Sequence, residues 1–257
     1  MSTLFTDVTA AGTNRDAGEF TPEEAVPRVA PLGWQRIGKE LDEQGSSLLP
    51  GVLSREECQA LADVYPENGL FRSRVVMGRH GFGRGEYKYF SYPLPQVIQE
   101  LRTALYSRLA PVANGWNIAM GIDVRYPDKH HEFLQRCHNA GQLRPTPLLL
   151  QYGEGDYNCL HQDLYGDVVF PLQITCFLSR RGVDYEGGDF LLVEQRPRAQ
   201  SRGEAIATEQ GEIVIFTTRH RPVEGTRGVY RAAMRHGVSR VTRGLRYTLG
   251  VIFHDAK

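Results

Sequence analysis

Apolar positions divide the chain into a helical first part and a strand-rich second part. Helical spacing predicts one helix over residues 34–44, with Gly45 as its stop. Ser54 and Glu57 have the spacing of a capping box, which predicts the start of a second helix. A third helix is predicted over residues 94–113, where apolar residues recur at helical spacing along one side. The first part of the chain is therefore expected to be mainly helical.

From about residue 147 onward, short apolar runs alternate with glycine and polar turns. Strands are predicted over residues 148–152, 158–161, 172–178, 189–193, 212–216, 231–241 and 246–253. Short strands at this density are typical of an antiparallel sandwich or barrel. The predicted fold class is α+β, with N-terminal supporting helices followed by a β core.

The same patterns divide the chain into three regions. Residues 1–30 are rich in Thr, Ala, Gly, Glu and Pro without a period, which predicts a flexible N-terminal tail. Residues 31–146 are predicted to be a helical support region, and residues 147–257 the β core. Inside the support region, residues 71–92 hold four glycines, five basic residues and six aromatic residues, which predicts a long hairpin or flap.

Composition narrows the class of protein. The 257 residues suit one domain with elaborations, or two small ones. The four cysteines include no CxxC pair, which argues against a zinc knuckle or a disulfide framework. The N-terminus lacks the basic start and apolar run of a secretory signal, and no apolar stretch is long enough to cross a bilayer. We therefore expect a cytoplasmic protein that does not contact membranes.

Three residues have the pattern of a metal site. His161 and Asp163 lie two positions apart, so in an extended segment both project from one face and reach the same cation. Among the downstream histidines, His236 has the best context, because it ends a predicted strand and Gly244 can turn the chain into the next. Two histidines and one carboxylate suit iron(II), since three adjacent coordination positions stay open. The three residues are therefore the predicted metal ligands and the predicted catalytic residues.

The three coordination positions of iron(II) that the protein leaves open indicate which cosubstrates the site would bind. Two positions suit a chelating keto acid, and the third suits dioxygen. The far carboxylate of a keto acid needs a cation, and an arginine fork with a neighbouring hydroxyl binds it well. Arg246 and Thr248 share a face of the next predicted strand and are the candidates for this role.

These segments resemble the iron(II)/2-oxoglutarate dioxygenases, specifically their prolyl-4-hydroxylase-like branch. The matching pieces, in order, are residues 151–157 before His161 and Asp163, residues 185–190 with a Gly-Gly-Asp sequence, residues 211–216, and His236 with Arg246 ten positions later. The resemblance covers about residues 147–253. It implies a double-stranded β-helix (jelly roll) fold, with Fe(II), 2-oxoglutarate and dioxygen as cofactor and cosubstrates. It also implies that the hydroxyl of Tyr152 helps to hold 2-oxoglutarate, whose oxidative decarboxylation drives hydroxylation of a C–H bond.

Two features bear on the substrate. In the predicted flap, basic residues alternate with aromatic ones, as single-stranded or flipped-base recognition requires, and Arg79, Arg84, Tyr87 and Tyr89 are the predicted substrate residues. The second feature is a series of arginines beside the metal histidine: Arg219, Arg221, Arg227, Arg231, Arg235, Arg240 and Arg243. A glycine-rich lid that packs its own aromatic residues, with arginines as a solvated face, is the simpler interpretation of both features.

The whole chain also resembles a bacterial group described as oxygenases that act on damaged nucleic acid by oxidative demethylation. Single-stranded or damaged nucleic acid is therefore one predicted partner. The AlkB type of dealkylase differs, because it has a second arginine where this chain has Ile252. A protein or peptide substrate, hydroxylated on a side chain such as proline, is the alternative. A non-catalytic jelly roll that binds nucleic acid or a protein is the third hypothesis.

Overall fold

The computed structural model describes residues 28–226 and 228–257. The predicted flexible tail therefore lies outside the described residues except for its last three positions, and Arg227 lies outside them as well. The helices are α1 (Trp34–Gln44), α2 (Arg55–Asp63), α3 (Gln96–Ala119) and α4 (His130–Asn139). The strands are β1 (Ser46–Leu49), β2 (Phe71–Val76), β3 (Gly83–Arg84), β4 (Glu86–Phe90), β5 (Leu148–Tyr152), β6 (Tyr157–His161), β7 (Leu172–Phe177), β8 (Tyr185–Gly187), β9 (Phe190–Gln195), β10 (Arg202–Ile206), β11 (Ile213–Thr217), β12 (His220–Gly225), β13 (Gly228–Val238), β14 (Val241–Gly244) and β15 (Arg246–Ile252).

Local signals account for the first two helices. α1 has its predicted bounds, and Gly45 ends it in the left-handed region at φ 81°. α2 begins at the predicted capping box, in which Ser54 accepts from the backbone of Glu57 and the Glu57 side chain accepts from the backbone of Ser54. This reciprocal pair satisfies two of the amide groups that a helix start leaves free.

Tertiary contacts change the other helices. α3 continues six residues past its predicted end, because Trp116 donates a hydrogen bond to Asp42 at 2.6 Å and Asn117 donates one to the carbonyl of Val124 at 2.9 Å. α4 was not predicted. Its sequence is mostly polar, and only Phe133 and Cys137 add apolar burial to its inward face.

Two antiparallel sheets form the β core. The larger has the order β1-β11-β7-β15-β5-β4-β2, and the smaller has the order β10-β9-β13-β6-β3 with β12 also paired to β13. β8 and β14 form a separate pair. The two sheets pack face to face where Phe177 and Phe216 of the larger contact Phe190 and Met234 of the smaller. This arrangement confirms the predicted α+β class with a jelly-roll core.

The larger sheet also takes strands from the region predicted to be helical support. β1, β2 and β4 all come from residues 31–146. The predicted hairpin exists, but β4 pairs with β5, so the hairpin extends the sheet rather than standing free. Its tip crosses to the smaller sheet, where β3 pairs with β6. The boundary at residue 147 stays a prediction, and the sheet itself spans it.

Strand alternation separates the packing face of the larger sheet from its cavity face. Leu149, Ile174 and Leu249 face the helices and belong to the main hydrophobic core. Their neighbours Leu148 and Thr175 line a cavity between the two sheets. Successive side chains of a strand point to opposite faces, so a shift of one residue would exchange these two sets. In the described part of the chain, no helix has both the length and the apolar character needed to cross a membrane.

Candidate metal centre

The structure brings the three predicted metal ligands together. His161 at the end of β6 is the direct antiparallel partner of His236 on β13, and their ring centroids lie 4.1 Å apart. Asp163 follows two positions after His161, and the possible ligand atoms of all three side chains lie within 4.8 Å of one another. A side chain at position 237 would meet the carbonyl of Asn158 at 2.7 Å, so Gly237 permits this close approach of the strands.

Asp163 lies between the two histidines. Its Oδ1 is 3.4 Å from Nε2 of His161, and its Oδ2 is 3.3 Å from Nε2 of His236. Burial acts to raise the pKa of Asp163, but His236 and His161 outweigh it and hold that pKa well below its ordinary value. Burial lowers the pKa of His236 despite the nearby carboxylate. An ionised carboxylate and a neutral imidazole are the forms that bind a metal ion.

Hydrogen bonds orient the ligand atoms. Nδ1 of His161 lies 2.8 Å from the carbonyl of Cys159, and donation to it leaves Nε2 free for a metal. The hydroxyl of Tyr165 donates to Oδ1 of Asp163 at 2.8 Å, and Nε2 of Gln173 donates to Oδ2 at 2.7 Å. The residue types, their spacing and these supporting bonds fit a small divalent cation such as iron(II).

The ligands border a cavity of about 340 Å³ that also contains the predicted keto-acid residues. Arg246 is 1% exposed, and among the described residues none accepts a hydrogen bond from its Nε or its two terminal nitrogens. The rings of Tyr152, Phe177 and Tyr185 lie 5.5–5.8 Å from its guanidinium carbon. A buried cation without a hydrogen-bonded partner is unfavourable, so this end of the cavity suits an anion.

Two hydroxyl groups accompany Arg246. Thr248 and Tyr152 are buried and line the same cavity. Burial raises the pKa of Tyr152 to about 12, so its hydroxyl stays protonated at neutral pH and can donate a hydrogen bond. A side chain at position 188 would meet Arg246 Cδ at 2.9 Å, so Gly188 keeps space for the arginine. These groups together fit the carboxylate of a keto acid.

The predicted substrate residues have different environments. Arg79 and Arg84 are exposed at the tip of the hairpin, and Arg84 lies 3.5 Å from Asp156. Tyr87 lines the cavity, but Tyr89 is buried beneath the guanidinium of Arg72 at 4.4 Å. Tyr89 therefore has little surface for stacking, because β4 is part of the sheet.

Four arginines of the series point away from the metal ligands. In β13 the residues 232, 234, 236 and 238 are buried, so Arg231 and Arg235 lie on the outer face of the smaller sheet. Arg221 is buried in an ion pair with Glu194 at 2.5 Å, and Arg243 pairs with Glu186 at 2.8 Å. These arginines are close to His236 in sequence only. Strand alternation directs Arg231 and Arg235 away from the cavity, and Arg221 and Arg243 are held in ion pairs elsewhere.

Several residues of the site were not predicted from the sequence. Phe82, Leu160 and Leu164 form an apolar rim at the cavity, and each is more than 40% exposed. Gln173 and Tyr165 support Asp163 from two sides. Gln173 could have been predicted from the sequence, because an amide in the apolar strand Leu172–Phe177 is expected to be buried and to require a hydrogen-bond partner.

A family profile and a curated relative are similar to this chain in sequence. Residues 85–256 match the profile of the family Oxygenase-NA, described as "Oxygenase, catalysing oxidative methylation of damaged DNA". An uncharacterized protein of Mycobacterium tuberculosis, Rv2227, is 50% identical over 182 residues, which cover 70% of this chain and 78% of that protein.

Comparison with solved structures supports the fold. A prolyl hydroxylase from Trichoplax adhaerens, in complex with a hypoxia inducible factor peptide fragment, aligns with a TM-score of 0.53 and 13% identity, over 84% of this chain and 86% of that chain. An oxidoreductase of the 2OG-Fe(II) oxygenase family from Burkholderia pseudomallei aligns with a TM-score of 0.50 and 15% identity, over 87% of this chain and 92% of that chain. At these identities the likeness establishes the jelly-roll fold.

Proposed function

Because this chain belongs to the Oxygenase-NA family, we propose that it is an iron(II)- and 2-oxoglutarate-dependent dioxygenase that removes methyl groups from damaged, unpaired nucleic-acid bases. The observation that carries the proposal is the buried Arg246, which has no hydrogen-bond acceptor among the described residues and shares a cavity with His161, Asp163 and His236. One cavity thus combines a candidate metal site with a site for an anion.

The reaction consumes dioxygen and 2-oxoglutarate and forms succinate and carbon dioxide. One oxygen atom of dioxygen ends in succinate. The other is inserted into a C–H bond of the N-methyl group, and the resulting hydroxymethyl group is then released as formaldehyde. The metal, held by His161, Asp163 and His236, would supply the activation of dioxygen. Arg246, Thr248 and Tyr152 would bind and orient 2-oxoglutarate, and the cavity walls would limit the entry of water.

The rim of the cavity supports a nucleic-acid substrate. Phe82 is 47% exposed at the tip of the hairpin and presents an aromatic face beside the opening. Arg79 and Arg84 are exposed on the same tip. Arg219 is exposed, and its backbone carbonyl accepts a hydrogen bond at 3.2 Å from the side chain of Gln162, a cavity residue. Exposed cations beside an aromatic face suit the phosphates and bases of an unpaired strand.

The test is a coupled assay with a methylated single-stranded oligonucleotide. Protein reconstituted with iron(II) should release succinate and formaldehyde in equal amounts, and an unmethylated oligonucleotide of the same sequence should release no formaldehyde. Succinate release that responds only to a peptide library would instead favour hydroxylation of a protein side chain. If iron(II) and 2-oxoglutarate without oxygen give no visible absorption band, the non-catalytic binding module is favoured.

Substitution of the exposed arginines is expected to weaken binding of DNA in a salt-dependent manner. Arg79→Ala and Arg84→Ala should each reduce the slope of log affinity against log salt by roughly 1, because each removes one phosphate contact. Arg235→Ala is the matched control, since this arginine lies exposed on the outer face of the smaller sheet. Fluorescence anisotropy at several salt concentrations measures the slopes, and equal slopes for all three variants would contradict a role for the hairpin tip.

We also propose that the reaction belongs to repair of alkylated DNA in the cytoplasm. The four cysteines are free thiols, which is the state that a reducing compartment maintains. Deletion of the gene should sensitise cells to methylating agents, and unchanged survival would argue against a repair role.

A further inference from the structure

Gln173 is a buried amide at the centre of the candidate site. It is 4% exposed, lies on the cavity face of β7 and contacts the cavity directly. Its Nε2 donates to Oδ2 of Asp163 at 2.7 Å and lies 3.4 Å from Nε2 of His236. The amide therefore borders the position that a metal ion held by these ligands would take.

The contact with Asp163 determines which way the amide faces. A carboxylate only accepts hydrogen bonds, so the NH2 end of Gln173 must be the end that meets it. The opposite end, Oε1, is then a buried acceptor, and no donor among the described residues bonds to it. A buried carbonyl without a donor is unfavourable and is rare in folded proteins. The unfilled acceptor therefore indicates a ligand that carries a donor.

The sheet register separates this acceptor from the keto-acid end. Gln173 is paired with Ile252, whereas Phe177, four residues along β7, is paired with Thr248. Four residues of strand correspond to roughly 13 Å. A carboxylate bound at Arg246 is thus remote from Oε1 and carries no donor for it. 2-Oxoglutarate has no donor at neutral pH, so a donor to Oε1 comes either from water or from the other molecule in the cavity, the substrate that is oxidised.

We infer that Gln173 is a specificity-determining residue whose Oε1 accepts a hydrogen bond from an N–H group of the substrate beside the carbon that is oxidised. The inference rests on the proposed function. A methylated base with an exocyclic amino group next to the methylated ring nitrogen presents such a donor. A base with a carbonyl group there places two acceptors against each other, which the site disfavours.

Binding of two oligonucleotides tests the inference. Protein loaded with Mn(II) and 2-oxoglutarate without oxygen is titrated with single strands that differ in one base, 3-methylcytosine or 3-methylthymine. Because 3-methylcytosine is also cationic at neutral pH, the informative quantity is the change in preference between wild type and Gln173→Met. We expect the preference for 3-methylcytosine to fall roughly tenfold in this variant, the factor that corresponds to one net hydrogen bond.

Tyr165→Phe is the matched control, because it removes the other hydrogen bond to Asp163 and leaves Oε1 of Gln173 in place. Both variants should bind Mn(II) more weakly, but Tyr165→Phe should keep the wild-type preference between the two bases. Gln173→Asn, which withdraws the amide by one methylene, replaces Gln173→Met if that variant does not fold.

Three results would overturn the inference in a protein that still binds the strands. The preference could be unchanged in Gln173→Met, it could fall equally in Tyr165→Phe, or the wild type could bind both strands equally well. The last result would leave the proposed function standing if both strands bind with salt-dependent affinity. If the wild type binds neither strand, the nucleic-acid substrate itself is rejected, and the inference about Gln173 is rejected with it.

Discussion

Asp163→Ala is expected to abolish metal binding and to lower succinate formation by more than about 1000-fold, since residues that only support a metal ligand already change affinity or activity by about 10- to 100-fold. Asp163 is the one carboxylate of the predicted ligand set, and its oxygens lie 3.4 Å and 3.3 Å from the two histidine nitrogens. Without it, two neutral imidazoles remain to hold a divalent cation. Calorimetric titration with Mn(II) measures the affinity, and succinate release measures the activity.

Glu154→Ala is the matched control for this substitution. Glu154 precedes β6, the strand that Asp163 follows, but its side chain is exposed and does not line the cavity. Metal affinity and succinate formation should stay at the wild-type values in this variant. If Asp163→Ala bound Mn(II) as tightly as the wild type, His161 and His236 would not share a metal ion with Asp163, and the proposed function would fail.

Arg246→Met is expected to weaken the binding of 2-oxoglutarate and to raise the stability of the ligand-free protein. The dissociation constant of 2-oxoglutarate should rise by about two orders of magnitude, because loss of a buried charge pair typically costs roughly 3 kcal/mol. Without ligand the variant should unfold at a higher temperature than the wild type. The wild type buries a guanidinium that has no acceptor among the described residues, and methionine of similar length removes that cost.

Thermal unfolding with and without 2-oxoglutarate measures both effects. The wild type should gain stability on addition of 2-oxoglutarate in the presence of Mn(II), and Arg246→Met should gain little. Arg243→Met is the control, because Arg243 is largely exposed and pairs with Glu186 at the surface. A large loss of stability in ligand-free Arg246→Met would show that the arginine has a structural partner and would remove the main support for a keto-acid site.

Much of the local structure could be predicted because its causes lie close together in the chain. The bounds of α1 depend on apolar spacing and on Gly45, and the start of α2 depends on Ser54 and Glu57. β5 has its predicted bounds, and most other core strands differ from theirs by only a few residues. The candidate ligands could also be predicted, since side chains two positions apart in an extended segment project to one face, and Arg246 begins the strand after Gly244.

Features that depend on pairing between distant strands could not be obtained in this way. The antiparallel register of β6 and β13 places His236 opposite His161, and the alternation in β13 directs Arg231 and Arg235 outward. Each of these outcomes changes if a strand shifts by one residue, and composition and motif spacing do not determine that shift.

The same limit applies to the supporting residues. Gln173 meets Asp163 only because β7 lies in the opposite sheet, and Tyr89 is buried only because β4 joins the larger sheet beside β5. The amino-acid sequence thus sufficed for the fold class, the bounds of α1, the start of α2 and the identity of the candidate ligands. Which side chains face the cavity, and which polar atoms remain without a partner inside it, followed from the packing of two sheets, because burial is a property of the assembled layers.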